Sequence, residues 1–297
     1  MLANLINGIS LGSVYAIIAL GYTMVYGIAK MLNFAHGDVI MVGGYIAFCS
    51  IMYLGWPPVL AVVAAMVVCT VLGIVIERLA YKPLRNATSL AVLITAIGVS
   101  YFLQNVALLI WSANTKVFPN IFEKLPGIPL GDSTIAPVNL ITVVANIVIM
   151  VVLTLFTTKT KMGKAMRAVS EDKGAATLMG INVNRTISLT FAIGSGLAAI
   201  AGVLLCTAYP TLMPTTGAMP GIKAFTAAVF GGIGSIPGAM LGGILLGVIE
   251  IFGKAYISTQ LSDAIVFAVL IIVLLVKPTG LLGHKVHEKV YGGRRDG

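Results

Sequence analysis

The sequence predicts an all-α, polytopic integral membrane protein with about eight to nine hydrophobic segments, including a pair of short helices separated by a glycine-rich break. Residues 1–29 contain no charged side chain, 58% of the 297 residues are hydrophobic and only 10% are charged. Helices of about 20 apolar residues cross the hydrocarbon of a bilayer. Charge-poor stretches recur until Val276, and no polar stretch is long enough for a soluble core. We therefore expect residues 1–297 to form a single transmembrane domain.

The apolar stretches predict the helices in chain order. They cover residues 4–29, 39–54, 59–76, 88–110, 137–156, 186–208, 221–231, 237–252 and 261–276. The prolines of Trp56-Pro57-Pro58 and those within 119–137 indicate connecting loops. Small residues let helices approach closely in a membrane. We expect one set of them to pack against helices of the same chain: Gly238, Gly242, Gly243 and Gly247.

The distribution of positive charge predicts the orientation in the membrane. Of the 19 lysines and arginines, 15 lie around Lys30, at 77–86, at 157–185 and in the tail from Lys277. Cytoplasmic loops of membrane proteins are enriched in these residues. The bias therefore predicts an N-terminus outside the cell and a C-terminus in the cytoplasm.

A break separates the helices predicted at 221–231 and 237–252, which at 11 and 16 residues are both shorter than a full crossing. The residues that prevent a continuous helix include Gly231, Gly232, Gly234, Ser235 and Gly238. Irregular backbone at membrane depth is tolerated where it lines a cavity, and transporters use it at substrate sites. The break is thus a candidate for a translocation pathway, with a tight turn at the cytoplasmic surface as the alternative. The number of full crossings stays open.

Several polar side chains have local interpretations. Gln104, Asn105 and Asn146 lie within predicted spans, where amides usually bond to a neighbouring helix. Gln104 and Asn105 are in addition candidate dipoles along a pathway for a neutral solute. Glu77 and Arg78 end the third span, and we expect them to form a local charge pair at the surface.

Four ionisable side chains lie at or near predicted spans, where charge is costly and by default indicates function. His36 and Asp38 follow the first span and are candidates for a gate; alternatively they cap helix ends beside Asn33. Lys223 and Glu250 lie near span ends and are candidate functional charges at the membrane edge. The alternative is that both side chains extend to the interface.

The most informative polar segment is 157–185, which we interpret as a cytoplasmic loop holding two short helices. One face of the first helix is apolar: Met162, Ala165, Met166 and Val169. Ser170 is a candidate N-cap of the second helix, with Glu171 and Asp172 in its first turn and Gly180 as its stop. The apolar face predicts docking into a groove of a partner protein. The alternative is an interfacial helix lying on lipid headgroups.

The motif content excludes several functions. No G-x-x-x-x-G-K-[ST] string occurs, so the chain has no P-loop, and an ATP-driven process would need a separate ATPase. Catalysis is not expected, because the histidines are only His36, His284 and His287 and an activated serine needs a base. The three cysteines lack metal-ligand spacing. A self-sufficient secondary carrier or channel for small amphipathic solutes is an alternative to a driven subunit, although intramembrane acids for ion coupling are scarce.

A set of motifs runs along nearly the whole chain. It comprises residues 7–27, 33–38, 77–78 with 81–85, 96–98 with 102–105, 163–180, 223–229, 231–239 and 277–280 with 282–283. Each motif alone is weak, but the combination is highly specific. In this combination of motifs, the chain resembles the shorter of the two permease subunits of bacterial branched-chain amino acid ABC transporters.

The resemblance implies a multi-pass subunit of the bacterial inner membrane that imports branched-chain amino acids. It implies three kinds of partner besides lipid: a second permease subunit, two cytoplasmic ATP-binding subunits that hold the ATP, and a periplasmic or extracellular substrate-binding protein. It also implies that the 157–185 loop docks onto an ATPase. The residues expected to carry this coupling are Gly163, Arg167, Glu171, Asp172 and Gly180. No nucleic-acid partner is expected, because the basic residues flank membrane segments.

Overall fold

The computed structural model describes residues 1–85, 87–122, 126–130 and 133–283. The predicted cytoplasmic tail beyond Gly283, including His284 and His287, lies outside the described residues. The described part is an all-α bundle, as predicted. Its hydrophobic helices are α1 (Leu2–Ala29), α2 (His36–Met52), α3 (Pro58–Ile76), α4 (Ser89–Trp111), α5 (Pro137–Lys159), α8 (Val183–Ala208), α9 (Ala218–Gly231), α10 (Ile236–Tyr256) and α11 (Ser262–Val276).

The shorter elements connect these helices. A π-helical turn (Glu77–Tyr81) and a 3-10 turn (Lys82–Leu84) extend α3, while α6 (Lys161–Glu171) and α7 (Lys173–Leu178) follow α5. The described strands are two short antiparallel pairs: β1 (Lys116–Val117) with β4 (Thr211–Leu212), and β2 (Ile128–Leu130) with β3 (Ser133–Ile135).

Six helices in the described part are long and apolar enough to cross a membrane: α1, α3, α4, α5, α8 and α10. The expectation that both helices around the glycine break are shorter than a crossing is correct for α9, which has 14 residues, and wrong for α10, which has 21. The predicted helix ends at 252, before the charged Lys254. Lys254 pairs with Glu250 within the protein, so the helix continues through it to Tyr256.

Successive helices place their connections at two ends of the bundle. One end, which we call the basic face, joins residues 30–35, 77–88 and 160–182 to the turn 232–235 and residues 277–283. Lys173 there donates from Nζ to the carbonyl oxygen of Ala29 at 3.1 Å. The other end, the opposite face, holds the N-terminus and the loops after α2, α4, α8 and α10. The pairing of β1 with β4 joins two of those loops.

Helix α1 is the centre of the bundle and is buried along most of its length. Its closest neighbour is α10, and glycines make the approach possible. A Cβ built on Gly12 would lie 2.6 Å from the Cα of Ile244, and one built on Gly243 would lie 2.5 Å from the Cα of Ala16. Close packing of the small residues of α10 within the chain is therefore confirmed.

The outer helices leave aliphatic surface uncovered. Exposed valines, leucines and isoleucines are concentrated on α3, α4, α5 and α11. In an apolar helix of a polytopic protein, such a face contacts lipid or a partner subunit. The described chain therefore has its core around α1, α2, α8 and α10, and its lipid or subunit contacts on the outer helices.

Candidate functional site

A cluster of charged side chains joins α9, α10 and α11. The Glu250 carboxylate accepts hydrogen bonds from Lys223 Nζ at 2.8 Å and Lys254 Nζ at 2.6 Å on Oε1, and from the Tyr15 hydroxyl at 2.8 Å on Oε2. Lys223 also pairs with Asp263 at 2.6 Å. Glu250 and Lys223 are buried, with 1% and 8% of their side chains exposed. The cluster holds two cations and two anions and is therefore neutral.

The burial of this cluster corrects the alternative that Lys223 and Glu250 extend to the membrane interface. Both side chains point into the protein, where each is compensated by an opposite charge. Removing one partner of a buried pair typically costs ~3–5 kcal/mol, because the other charge remains uncompensated. The sequence contained one signal of this arrangement, the i,i+4 spacing of Glu250 and Lys254.

A cavity of about 250 Å³ lies beside this cluster at the opposite face. Its polar lining includes Tyr15, Tyr209, Glu250 and Lys254. Its apolar lining is formed by Leu11, Leu205, Met213 and Pro220. Burial and the nearby Glu250 carboxylate raise the pKa of Tyr209 above its usual value, so this phenol stays protonated at neutral pH. This cavity could not be predicted from the sequence, because its walls come from four separate segments.

His36 and Asp38 are buried at the start of α2, each 1% exposed. His36 packs edge-to-face on Tyr22, with the ring centroids 4.6 Å apart, and its Nε2 makes no hydrogen bond in the described part of the chain. Asp38 accepts a hydrogen bond from Gln104 Nε2 at 2.9 Å. The capping alternative is wrong: no side chain caps α2, and Asn33 instead accepts from a tyrosine hydroxyl.

The three amides differ in their contacts. Gln104 bonds to a neighbouring helix, as predicted. Asn105 is exposed and donates from Nδ2 to the carbonyl of Tyr101 in its own helix at 2.7 Å. Asn146 is fully buried, but neither of its amide atoms has a partner in the described residues. The expectation of a bond to a neighbouring helix is therefore wrong for Asn105 and Asn146.

The glycine break forms a tight turn at the basic face. Gly232, at φ +107°, follows the end of α9, and Ser235 caps α10 by accepting from the amide of Gly238 at 3.2 Å. Residues 281–282 cover the turn, since Leu282 donates to the carbonyl of Gly231 at 2.9 Å. No hydrogen bond in the described part of the chain joins this turn to Gln104 or Asn105. The structure thus does not bring the two groups of candidate pathway residues together.

The 157–185 loop contains two short helices, but the second begins elsewhere than predicted. Thr160 caps α6 by accepting from the amide of Gly163 at 2.9 Å. Asp172 caps α7 by accepting from the amide of Ala175, also at 2.9 Å. Ser170 and Glu171 belong to the last turn of α6, so the predicted cap at Ser170 is wrong. Asp172 has the same capping ability as serine and lies two residues later.

The apolar face of α6 packs on its own chain. Met166 and Val169 are buried, with 0% and 1% exposure, so the expectation that this face enters a partner groove is wrong. Met162, at the start of the same face, is 36% exposed. The most exposed apolar side chains of the loop lie at the end of α7 and were missed in the sequence: Leu178 is 89% exposed and Met179 is 81% exposed. Gly180, at φ +78°, ends the helix directly after them, as predicted.

The remaining coupling candidates lie around these helices. Gly163 packs closely on the end of α5, where a Cβ would lie 2.5 Å from the Cα of Thr157. Arg167 is exposed, and its guanidinium approaches the carbonyl of Thr158 at 3.5 Å. Burial and the positive charges of Arg85 and Lys30 lower the pKa of Lys173.

A second buried ion pair lies on the basic face. Glu77 has no exposed surface and pairs with Arg85, which also bonds to Asn184 on α8. Ser188 donates to the second carboxylate oxygen of Glu77 at 2.6 Å. The expected surface pair of Glu77 with Arg78 is therefore wrong. A buried carboxylate needs a partner that compensates its charge, and the Arg85 guanidinium does so while making several hydrogen bonds.

The sequence was compared with known protein families and proteins. A family described as "Branched-chain amino acid transport system / permease component" matches residues 4–274. The chain belongs to this family. It is 48% identical over 300 residues to the high-affinity branched-chain amino acid transport system permease protein LivH of Escherichia coli, with 97% of both chains covered.

Other relatives agree with this assignment. The permease protein BraD of Pseudomonas aeruginosa is 48% identical over 303 residues, covering 97% of this chain and 98% of BraD. A probable permease protein LivH of Methanocaldococcus jannaschii is 30% identical over 285 residues, covering 90% of this chain and 88% of that protein. The predictions of a transport permease component, and of a transport subunit in place of an enzyme or a self-sufficient carrier, are confirmed by the family.

Proposed function

We propose that this chain is the membrane-spanning permease subunit of an ATP-driven importer of branched-chain amino acids. Family membership supports the transport role, and the names of the relatives supply the substrate class. A permease of this type works with an ATPase, a substrate-binding protein and a second permease. We infer two ATP-binding subunits at the basic face, which hold the ATP, and a binding protein at the opposite face.

The basic face is assigned to the cytoplasm of a bacterial inner membrane. In this orientation the N-terminus lies outside and the chain after α11 enters the cytoplasm. The excess of lysine and arginine at the basic face supports the assignment. This charge asymmetry between the two faces carries the argument.

Within the single permease domain, residues 157–185 are the cytoplasmic coupling loop. The observation that carries this proposal is the exposed pair Leu178 and Met179 on an otherwise anchored loop. Adjacent large apolar side chains that are exposed on a polar surface are candidates for a contact with a partner protein. Helix α6 is held on the bundle by Met166 and Val169, so a force on the end of α7 is transmitted to the membrane helices.

The coupling residues have separate parts in this mechanism. Gly163 allows α6 to pack on α5, and Asp172 and Gly180 fix the start and the stop of α7. Arg167 and Glu171 are exposed and supply charges of opposite sign for contacts with an ATPase surface. Movement of the loop then rocks the helices between outward-open and inward-open states.

The pathway is proposed to reach the cytoplasm at the glycine turn, Gly231, Gly232, Gly234, Ser235 and Gly238. Residues 281–282 cover the turn in this structure, so opening requires that segment to move. The amides Gln104 and Asn105 offer dipoles suited to a neutral zwitterion. His36 and Asp38 are proposed to act between these two regions as a gate, because Asp38 bonds Gln104 and Nε2 of His36 is unpartnered in the described residues.

The proposal is tested with Leu178→Asp in the complete transporter reconstituted in proteoliposomes. Replacing this apolar side chain by a charged one should leave the two permease subunits assembled. Copurification of the ATPase and ATP-driven leucine uptake should both fall at least tenfold. Leu178→Met keeps the apolar surface and should retain both. Glu171→Lys should leave assembly intact and uncouple ATP hydrolysis from leucine uptake. Unchanged uptake and copurification in Leu178→Asp would contradict the docking role.

A further inference from the structure

The cavity beside the charged cluster has a chemically mixed lining. Leu11, Leu205 and Met213 form its aliphatic wall, and Thr211 and Thr216 add hydroxyl groups. A further part of the wall presents the Glu250 carboxylate and the Lys254 ammonium, which are 2.6 Å apart. A cavity lined by an anion and a cation side by side and by aliphatic side chains matches a small amino acid with a hydrocarbon side chain.

The charged groups of this wall retain hydrogen-bonding capacity. Each carboxylate oxygen can accept about two hydrogen bonds. Oε1 of Glu250 accepts from two lysines, while Oε2 accepts from Tyr15 alone, so one position on Oε2 remains. Lys254 uses one of its N–H groups on Glu250 and is 34% exposed. Its other donors are therefore available to an anion in the cavity.

We propose that this cavity is an amino-acid subsite of the outward-facing pathway. The ammonium group of the substrate donates to Oε2 of Glu250, its carboxylate accepts from Lys254 and the Tyr209 hydroxyl, and its side chain lies against Leu205 and Met213. This inference rests on the proposed function and deepens it by naming where the substrate binds. The subsite lies at the opposite face, away from the glycine turn.

Charge balance favours a neutral zwitterion over other ligands. The cluster of two lysines and two acids is neutral, so a ligand with one positive and one negative group adds no net charge to the site. An amino acid with a charged side chain would place that charge against the aliphatic wall without a partner, which is costly. A simple anion would meet the Glu250 carboxylate, and a simple cation would meet Lys254.

The size of the cavity also fits. Pockets for drug-sized ligands have volumes of roughly 300–1,000 Å³, and the cavity of about 250 Å³ lies just below this range. A leucine, isoleucine or valine molecule is smaller than a drug-sized ligand. The volume therefore accommodates one such molecule.

The experiment uses the purified permease–ATPase complex without binding protein and millimolar photo-leucine, a diazirine analogue of leucine. After irradiation, mass spectrometry should find label on residues 205–213, and excess leucine should reduce it at least tenfold while excess lysine does not. Lys254→Gln should reduce the label at least tenfold. Lys116→Gln, a lysine of the same face that does not line the cavity, is the matched control and should leave the label unchanged.

Two measurements separate the ways in which the inference can fail. Lys254→Gln leaves Glu250 paired with Lys223 and Tyr15, so the variant should still assemble with its partner subunits, which size-exclusion chromatography of the complex checks. ATP-driven leucine uptake is measured with binding protein in parallel. An unlabelled cavity together with intact uptake would overturn the subsite but not the proposed function. Equal labelling of Lys254→Gln and Lys116→Gln would do the same. Absence of uptake in the unsubstituted transporter would overturn the proposed function itself.

Discussion

The seam between α1 and α10 should be sensitive to a single methyl group. In Gly12→Ala, the added Cβ would lie 2.6 Å from both the Cα and the carbonyl oxygen of Ile244. Non-bonded carbons prefer ~3.5–4.0 Å, so the two helices would have to separate by about 1 Å. The atoms met are backbone atoms, and no side-chain rotation relieves the clash. Overpacking of this kind costs ~1–3 kcal/mol, which exceeds the ~1 kcal/mol gained from the better helix propensity of alanine.

Gly98→Ala is the matched control, because it makes the same substitution inside a helix at a site where the new Cβ meets nothing within 4 Å. It should be neutral or stabilise by up to ~1 kcal/mol. The assay is thermal unfolding of the purified complex in detergent, followed by size-exclusion chromatography. Gly12→Ala should lower the apparent Tm and Gly98→Ala should not. A Gly12→Ala complex as stable as the unsubstituted one, or equal losses in both variants, would refute the close-packing argument.

Three further predictions use the same purified complex. Arg85→Met should lower the free energy of unfolding by ~3–5 kcal/mol, because it leaves a buried glutamate unpaired, whereas exposed Arg78→Met should change it by less than ~0.5 kcal/mol; equal thermal shifts would contradict the pairing. Gln104→Leu should destabilise by ~1–3 kcal/mol because a buried carboxylate loses a donor, and Asn105→Leu should be nearly neutral by the same assay. The pKa of Lys173 is lowered by burial and two basic neighbours, so its acylation, followed by mass spectrometry, should begin at lower pH than in the denatured chain. Folding should accordingly gain stability as pH rises through that interval, because the denatured chain then binds more protons; identical acylation midpoints would contradict this.

Much of the fold could be predicted from the sequence, because charge-free apolar runs have one stable solution in a bilayer. Helices α1, α3, α4, α5 and α8 begin and end within a few residues of the predicted positions. The largest difference is α10, which continues past its predicted end at 252 and through Lys254 to Tyr256. A charged residue ends a predicted span only if it faces lipid or water, and the side to which a residue points is a tertiary property.

The candidate site was less predictable for the same reason. The partners of Glu250 include Tyr15, which is 235 positions away in the chain, and no sequence spacing connects them. Local features were predicted more accurately. The end of α7 at Gly180, for example, depends only on backbone conformation. The cap of α7 was misplaced because serine and aspartate compete equally for that position in sequence. In the structure α6 continues through Ser170 and Glu171, so Asp172 is the residue that caps α7.

Helix α1 links the two ends of the molecule. With 28 residues at 1.5 Å per residue it is about 42 Å long, enough to traverse the whole bilayer including its headgroups. Its last turn accepts the Lys173 hydrogen bond from the 157–185 loop, and its Tyr15 holds Glu250 beside the cavity at the opposite face. The helix is sheathed by protein and bears no charged side chain. A displacement of its end at the basic face would therefore reach the lining of that cavity, about 20 Å away, along one rigid element.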